Sequence, residues 1–541
     1  MEYDRKWWKE AVVYQIYPKS FQDSNGDGIG DLNGILQRLD EIEALGINVI
    51  WLSPVYKSPN IDNGYDISDY REIHTDYGSM ADMELLIKEA EKRNIKIIMD
   101  LVINHTSDQH PWFQASRDPK SPYRDYYYWH KSKNGGLPNN WTSFFGEKCW
   151  EYDALSDEYY LHLFAKEQPD LNYHSAKVLA EIKDIMRFWL DKGVAGFRCD
   201  VINIIYKSSL EDGKKKLILT GSEHYLSQEG NHAILRELRH DVLKGYDCFT
   251  VGETVFVTPE MGNALCAPER EELDMIFSFE HMETDQYIVK WFKKKFNSDT
   301  FAKVISKWQN TVDWNAIYFE NHDQPRSVSR FGNDQKYWDK SSKLLATLLF
   351  TLKGTPFIYQ GQEIGMTNFD YKDMSELRDI ESFNIEKLAR KLHIPKSYIW
   401  KMMKRCSRDN GRTPMQWTRE KNAGFTDGTP WIQLNKNHIK INFQDQDHSS
   451  NSILNYYRKM IKLRAENHIL IYGEYKLHKA SKNIFIFSRQ LNQDKITIIL
   501  NFSIRTQTVN ATGNVLVSNY DKQYFDGILL PYEAVVLKSK K

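Results

Sequence analysis

Arg198 and Asp200 stand two residues apart in a run of small and apolar residues, 195–201, with the charged pair at its carboxyl end. On a β-strand, residues two apart face the same way, so both side chains share one face. A guanidinium beside a carboxylate keeps it ionised and aims it. An ionised, oriented carboxylate at a strand end can act as a nucleophile. A purely structural ion pair reads the same way in isolation, so the other strand ends decide the matter. His105, Glu253, His322 and Asp323 also fall at the ends of apolar runs. Three carboxylates on one rim are costly unless one holds a proton or a positive charge develops there. Glycoside hydrolysis supplies that charge in an oxocarbenium-like transition state, and it needs one protonated acid and one ionised carboxylate. Metal-assisted hydrolysis is the competing chemistry. Against it, Arg198 would contest Asp200 with any cation.

The elements that must position these groups follow an alternating rhythm. Apolar runs at 12–17, 47–52, 96–102, 195–201, 247–254, 274–279, 314–320 and 355–359 predict eight strands. Helical periodicity at 32–45, 80–93 and 175–192 separates several of them. Strand, helix, strand at this spacing predicts a parallel sheet with right-handed crossovers. Eight such units predict an α/β fold, a (β/α)₈ TIM barrel, whose chemistry sits at the strands' carboxyl ends. The rhythm breaks after the third strand. Residues 105–173 are rich in aromatics, Pro and Gly, show no clear helix, and are placed to wall a site. The barrel would then comprise 1–104 and 174–466. Residues 369–431 form a second irregular rim insertion with one helical stretch around 385–406. Short alternating runs in 467–541 predict a C-terminal antiparallel β-sandwich.

The loop from Asp23 to Asp31 carries oxygen-bearing side chains at alternate positions with interleaved glycines. Asp23, Asn25, Asp27, Asp31 and the Ile29 carbonyl could wrap a hard cation, Ca²⁺ or Mg²⁺, in a structural role. A turn-rich loop without an ion is the alternative. No cofactor is expected for the chemistry itself.

The formal net charge of -1 argues against nucleic acid or a membrane surface as partner. Fifteen Trp and 31 Tyr suit sugar stacking as well as core packing. Five scattered cysteines give no disulfide framework, and the start of the chain has no apolar signal segment. A cytoplasmic enzyme is expected, a monomer or small homo-oligomer acting on a small oligosaccharide.

The motifs resemble glycoside hydrolase family 13, the α-amylase family. They are Asp100 to His105, Gly196 to Asp200, Gly252-Glu253 and Asn321 to Asp323, in the family's order. The oligo-1,6-glucosidase and α-glucosidase branch is suggested by Gln15 to Pro18, the Asp23 loop, Gln168 to Asn172 and Arg412 to Trp417. The resemblance implies Asp200 as nucleophile, Glu253 as acid/base and Asp323 as transition-state stabiliser. It places Asp62, Tyr65, His105, Phe164, Arg198, Val201, His322 and Arg412 around the substrate. Asp62 and Arg412 would pair at a closed pocket end, implying release of one glucose at a time. Val201, next to the nucleophile, goes with α-1,6 preference. The nucleophile and acid/base carboxyls are expected about 5–5.5 Å apart, as in retaining enzymes.

Departures sit on the leaving-group side. Thr254, Val255 and Phe256 differ from the Met-Pro-Gly often found after the acid, and 226–231 differs from many relatives. Three alternatives remain open. A trehalose-6-phosphate hydrolase would need cations such as Lys207, Lys214, Lys215 and Lys216. A sucrose isomerase would need an arginine pair, and Arg326 and Arg330 match it poorly. A non-catalytic binding relative would lack the carboxylates.

Overall fold

The computed structural model describes residues 5–540. The first four residues, part of the start read above as lacking a leader, and Lys541 lie outside the described residues. Eight parallel strands form the barrel: Val13–Ile16, Val49–Leu52, Lys96–Leu101, Gly196–Cys199, Phe249–Glu253, Met275–Phe277, Ala316–Ile317 and Thr355–Tyr359. They pair in the order 6-5-4-3-2-1-8-7. A parallel bridge between Ile276 and Asn315 closes the ring from strand 6 to strand 7. Nearly every strand residue is buried, because helices cover the outer face and side chains fill the interior.

Each crossover helix stops and starts where its sequence allows. Met80–Glu91 opens on a capping box in which Ser79 and Asp82 satisfy each other's backbone N–H groups. Ala176–Asp191 buries Val178, Ile182, Ile185, Met186 and Trp189 on one face and leads directly into strand 4. Strands 3 and 4 are in register with Asp100 opposite Arg198, and strands 4 and 5 with Arg198 opposite Val251. Register alone therefore brings Asp100, Asp200 and Glu253 to one rim.

Several elements differ from the periodicity. The run at 32–45 is two helices, Leu32–Gln37 and Leu39–Leu45, broken at Arg38. Arg38 leaves the helix line, lies over Trp417 and donates to Gln22 Oε1. The run at 314–320 keeps only Ala316–Ile317 in the sheet. Beyond it Glu320 turns aside to bind Arg326 and the Ser327 N–H. The stretch at 385–406 is two helices, Ile380–Lys391 and Lys396–Cys406, because Pro395 cannot continue the first.

The insertion after strand 3 does hold a short helix, Pro111–Ser116, with Pro at its first position. Its three-stranded antiparallel sheet places Glu158–Leu161 between Trp129–His130 and Trp150–Asp153. The insertion's apolar core contains Trp141, Cys149, Trp150 and Leu163, and it takes in Val201 and Ile204 from the rim beyond strand 4. The insertion is thus packed directly onto the segment that follows Asp200.

A five-residue helix, His468–Tyr472, precedes the C-terminal sheets. There a six-stranded antiparallel sheet faces a two-stranded one, with Ile484, Ile499, Phe525, Leu529 and Val535 in the core they share. The barrel helix Ser298–Thr311 meets this region through the Ser306–Tyr475 hydroxyl contact of 2.6 Å.

Candidate active site

One guanidinium organises the rim. Arg198, 1% exposed, donates through Nη1 to Asp100 Oδ1 and, at 2.7 Å, to Asp200 Oδ1. Its Nη2 lies 2.8 Å from Glu253 Oε2. Trp51 Nε1 donates to the other Asp100 oxygen at 2.8 Å, so Asp100 is spent on holding Arg198 in place. Glu253 Oε2 also accepts the Val201 N–H at 3.2 Å. The two outer carboxyls therefore occupy the two prongs of one fork.

Burial pushes the Asp200 carboxyl up, Arg198 opposes this, and the neighbouring Glu253 and Asp100 add to it. The site thus sets side by side the two carboxyls that glycoside cleavage requires.

Asp323 is set in the opposite way. Burial would raise its carboxyl, but His322, Arg408 and Arg412 hold it well below the usual carboxylate range. Its Oδ1 accepts from Arg412 Nη2 at 2.8 Å and from Arg408 Nη1 at 3.3 Å. It is the most exposed of the three acids, with 29% of its side chain accessible, and is available to grip hydroxyls.

The pocket end differs from the expected pairing. Asp62 pairs with Arg408, at 3.1 Å, and not with Arg412. Arg408 lies four residues before Arg412, just ahead of the helical turn Asp409–Arg412. It reaches Asp62, Asp323 and Asp379 together. Arg412 is turned instead to Asp323 and, through Nε, to the His322 carbonyl at 3.0 Å. Its Nη1 is buried with no protein partner, a donor free for a hydroxyl. The i, i+4 spacing of Arg408 and Arg412 was a readable signal for a second pocket arginine. Asp379 gave none, because its partner is reached only through the fold.

Tyr65 stacks on His322, with ring centroids 5.3 Å apart and 7° between planes, and the Tyr65 hydroxyl lies 2.6 Å from His322 Nε2. Gln15 donates its amide to His322 Nδ1 at 2.8 Å, which leaves the ring proton on Nε2. His105 faces protein on both nitrogens: Nε2 meets the Tyr65 carbonyl at 3.0 Å, and Nδ1 meets the Asn104 amide at 3.2 Å. It holds the Tyr65 loop down. Phe164 sits 5.2 Å from the His105 ring and stacks on Phe144, forming an aromatic wall supplied by the insertion.

Burial pushes His105 down to about 4 and His322 down to about 3. A base whose pKa is lowered stays neutral above that value. Neither ring is therefore expected to titrate between about pH 5 and 8, the range in which an ordinary histidine does. Ring-proton NMR across that range checks this. A midpoint near 6.5 for either residue contradicts it.

Val201 follows Asp200 in a left-handed backbone conformation, φ 35° and ψ 41°. For a β-branched residue this is strained, and such strain gathers at functional sites. Its side chain is buried in the insertion's core.

One cation reading is corrected. Lys207 is fully buried, 2.6 Å from Asp170 Oδ2 and 2.9 Å from Asn104 Oδ1, so it cannot meet a phosphate. Lys216 pairs with Glu223 at 2.7 Å. Arg326 and Arg330 are likewise committed, to Glu320 and to Asp285.

The Asp23 loop lies apart from these residues in the hydrogen-bond pattern. Asp23 accepts from the Asn25, Gly26 and Gly28 N–H groups, Asn25 from Asp27, and Asp27 from Ile29. Asp31 accepts from Ser24 and Gly34. Among the described residues no three acidic, histidine or cysteine side chains converge as a ligand set by themselves.

The comparisons agree with this geometry. The family model described as alpha amylase, catalytic domain, matches residues 15–473. An oligo-1,6-glucosidase of Parageobacillus thermoglucosidasius is 48% identical over 558 residues, covering 99% of each chain. A trehalose-6-phosphate hydrolase of Bacillus subtilis is 44% identical over 92% of this chain and 90% of its own. Among solved structures, a trehalose-6-phosphate hydrolase of Bacillus licheniformis matches with TM-score 0.94 and 42% identity, over 99% of this chain and 100% of that one. The isomaltulose synthase of Protaminobacter rubrum matches with TM-score 0.96 and 39% identity, over the whole of both chains. With Asp200, Glu253 and Asp323 gathered at the carboxyl rim of a closed barrel and the catalytic-domain match spanning most of its length, the chain belongs to the α-amylase family of glycoside hydrolases.

Proposed function

We propose that the protein is a retaining exo-α-glucosidase acting on short α-1,6-linked glucosides such as isomaltose. The observation that carries this is the single Arg198 fork holding Asp200 and Glu253 side by side. In the first step Glu253 gives its proton to the glycosidic oxygen while Asp200 attacks the anomeric carbon, forming a glucosyl ester and freeing the leaving sugar. In the second, Glu253 takes a proton from water, the water oxygen bonds to the anomeric carbon, and Asp200 leaves as the anion. Asp323, held ionised by its arginines, binds ring hydroxyls as positive charge develops. The Asp62–Arg408 pair blocks one end of the site, which favours removal of a terminal glucose.

The linkage rests on Val201. An α-1,6 link has an extra rotatable methylene, so the leaving glucose can swing past a rigid side chain. An α-1,4 link holds the rings closer, and Val201 cannot move aside. Its left-handed backbone and buried packing fix it further. Isomaltose should therefore be cleaved with higher kcat/KM than maltose. Val201→Ala and Val201→Thr should raise maltose cleavage relative to isomaltose by about 1–3 kcal/mol, the scale of one apolar contact. An unchanged ratio in both variants contradicts the argument.

Trehalose 6-phosphate is disfavoured by the commitment of Lys207 to Asp170, and sucrose isomerisation by that of Arg326 and Arg330. A non-catalytic role is disfavoured by the presence of all three carboxylates on one rim.

We assign the Asp23 loop a structural Ca²⁺ or Mg²⁺. No lysine or arginine among the described residues is paired with Asp23, Asp27 or Asp31, and neighbouring anions repel unless something neutralises them. Asn25 and the Ile29 carbonyl would complete the ligands. Chelation should lower the Tm, and restored Ca²⁺ should raise it again. A Tm indifferent to both speaks against the ion.

We place the protein in the cytoplasm, as a monomer or small homo-oligomer. All five cysteines are free, as a reducing compartment keeps them. No helix among the described residues is long and apolar enough to cross a membrane.

A further inference from the structure

Three residues other than glycine adopt left-handed backbone on the leaving-group side: Val201 at φ 35°, Ser227 at φ 48° and Phe256 at φ 54°. Such conformations persist only where the surroundings over-determine them. Val201 lies two residues before one buried side chain, Asn203, which is fully inaccessible; Ser227 is bonded to it, and Phe256 follows Val255, which it also bonds. Its amide oxygen accepts the Val255 N–H at 3.0 Å, and its Nδ2 donates to the Val255 carbonyl at 2.9 Å. Nδ2 also reaches Ser227 Oγ at 3.1 Å, and the Asn203 carbonyl accepts the Ser227 N–H at 2.7 Å.

These bonds close a ring between the ends of strands 4 and 5. Glu253 Oε2 accepts from Val201, two residues before Asn203, and Asn203 grips Val255, two residues after Glu253. The acid thus holds the nucleophile's loop, and that loop holds the acid's. Arg198 fixes the two carboxylates from inside the barrel, whereas this ring fixes the backbone that carries them from outside.

We propose that Asn203 is a positioning residue that sets Glu253 for proton delivery to the leaving oxygen. It touches neither substrate nor reacting atoms and acts through Val255 and the Val201 N–H. The same clamp holds Phe256, half exposed three residues beyond the acid, in its strained turn at the edge where the leaving sugar departs. This rests on the glucosidase reading above and adds to it which group fixes the acid's approach.

The test exploits leaving groups. Isomaltose leaves as a sugar alkoxide and needs the proton, whereas nitrophenol is acidic enough to leave with little help. kcat/KM for isomaltose and for 4-nitrophenyl α-glucoside is measured in the wild type, Asn203→Ala and Asn203→Ser, with Tm alongside. Misplacement of the acid should cost about 10²-fold on isomaltose. On the nitrophenyl glucoside the loss should be less than about tenfold, since that group hardly uses the acid. A merely structural role lowers both substrates together, and equal losses overturn the proposal. Should Asn203→Ala fail to fold, the same ratio in Asn203→Ser decides, because its hydroxyl can keep one of the two Val255 bonds. A wild-type enzyme that leaves isomaltose intact overturns the underlying reading and the proposal with it. Equal losses in an active background overturn the positioning role alone.

Discussion

Asp200→Asn is expected to abolish turnover while leaving the fold in place. The amide matches the carboxylate in shape but cannot form the glucosyl ester. A loss of at least about 10⁴-fold in kcat, or about 5.4 kcal/mol of barrier, is expected on any α-glucoside, whatever its leaving group. The fold should survive because Arg198 keeps two carboxyl partners within reach. Asp100 and Glu253 remain, and the substitution removes one of the mutually repelling carboxylates. A Tm within a few degrees of wild type, with activity lost on both isomaltose and 4-nitrophenyl α-glucoside, fits the account. Appreciable turnover of the nitrophenyl substrate would show that the nucleophile is elsewhere.

Glu253→Gln should behave differently. It removes the proton donor but leaves the nucleophile, so the cost should follow the leaving group. On isomaltose the loss should be about 10²–10⁴-fold, the usual contribution of general acid–base catalysis. On the nitrophenyl substrate the first step should proceed and the second should stall, because no base remains to activate water. Glucosyl-enzyme should then accumulate and be visible by mass spectrometry as an adduct on the peptide carrying Asp200. A small anionic nucleophile such as azide, which needs no base, should restore turnover. Uniform losses, with no adduct and no rescue, contradict the assignment of roles.

The barrel was legible because its physics is local. A strand buried on both faces must be a continuous apolar run, and eight such runs recur with helices between several of them. The reactive rim was legible for the same reason, since charged residues that end an apolar strand have few other places to go. What escaped depends on partners far along the chain. Lys207 reads as one of several charges on a solvated loop, yet Asp170, in the insertion, draws it into the interior. Arg408 was given no role beside Arg412, although their spacing was a signal; its partners Asp62 and Asp323 are 346 and 85 positions away. The seventh strand was read too long, because Glu320, though buried, leaves the sheet to serve Arg326. Asn203 was invisible as a clamp because its Val255 partner lies across the rim. The strain at Val201 is a property of φ that no residue type announces.

The most direct test of the central claim is a comparison of kcat/KM for isomaltose and for trehalose 6-phosphate with the wild-type protein. The two substrates ask the same nucleophile and acid to act on different leaving groups, one neutral and one carrying a phosphate. Lys207 is not available to that phosphate, because it is bound to Asp170 and Asn104. The account predicts that isomaltose is preferred and that glucose is the product. A preference for trehalose 6-phosphate would contradict it.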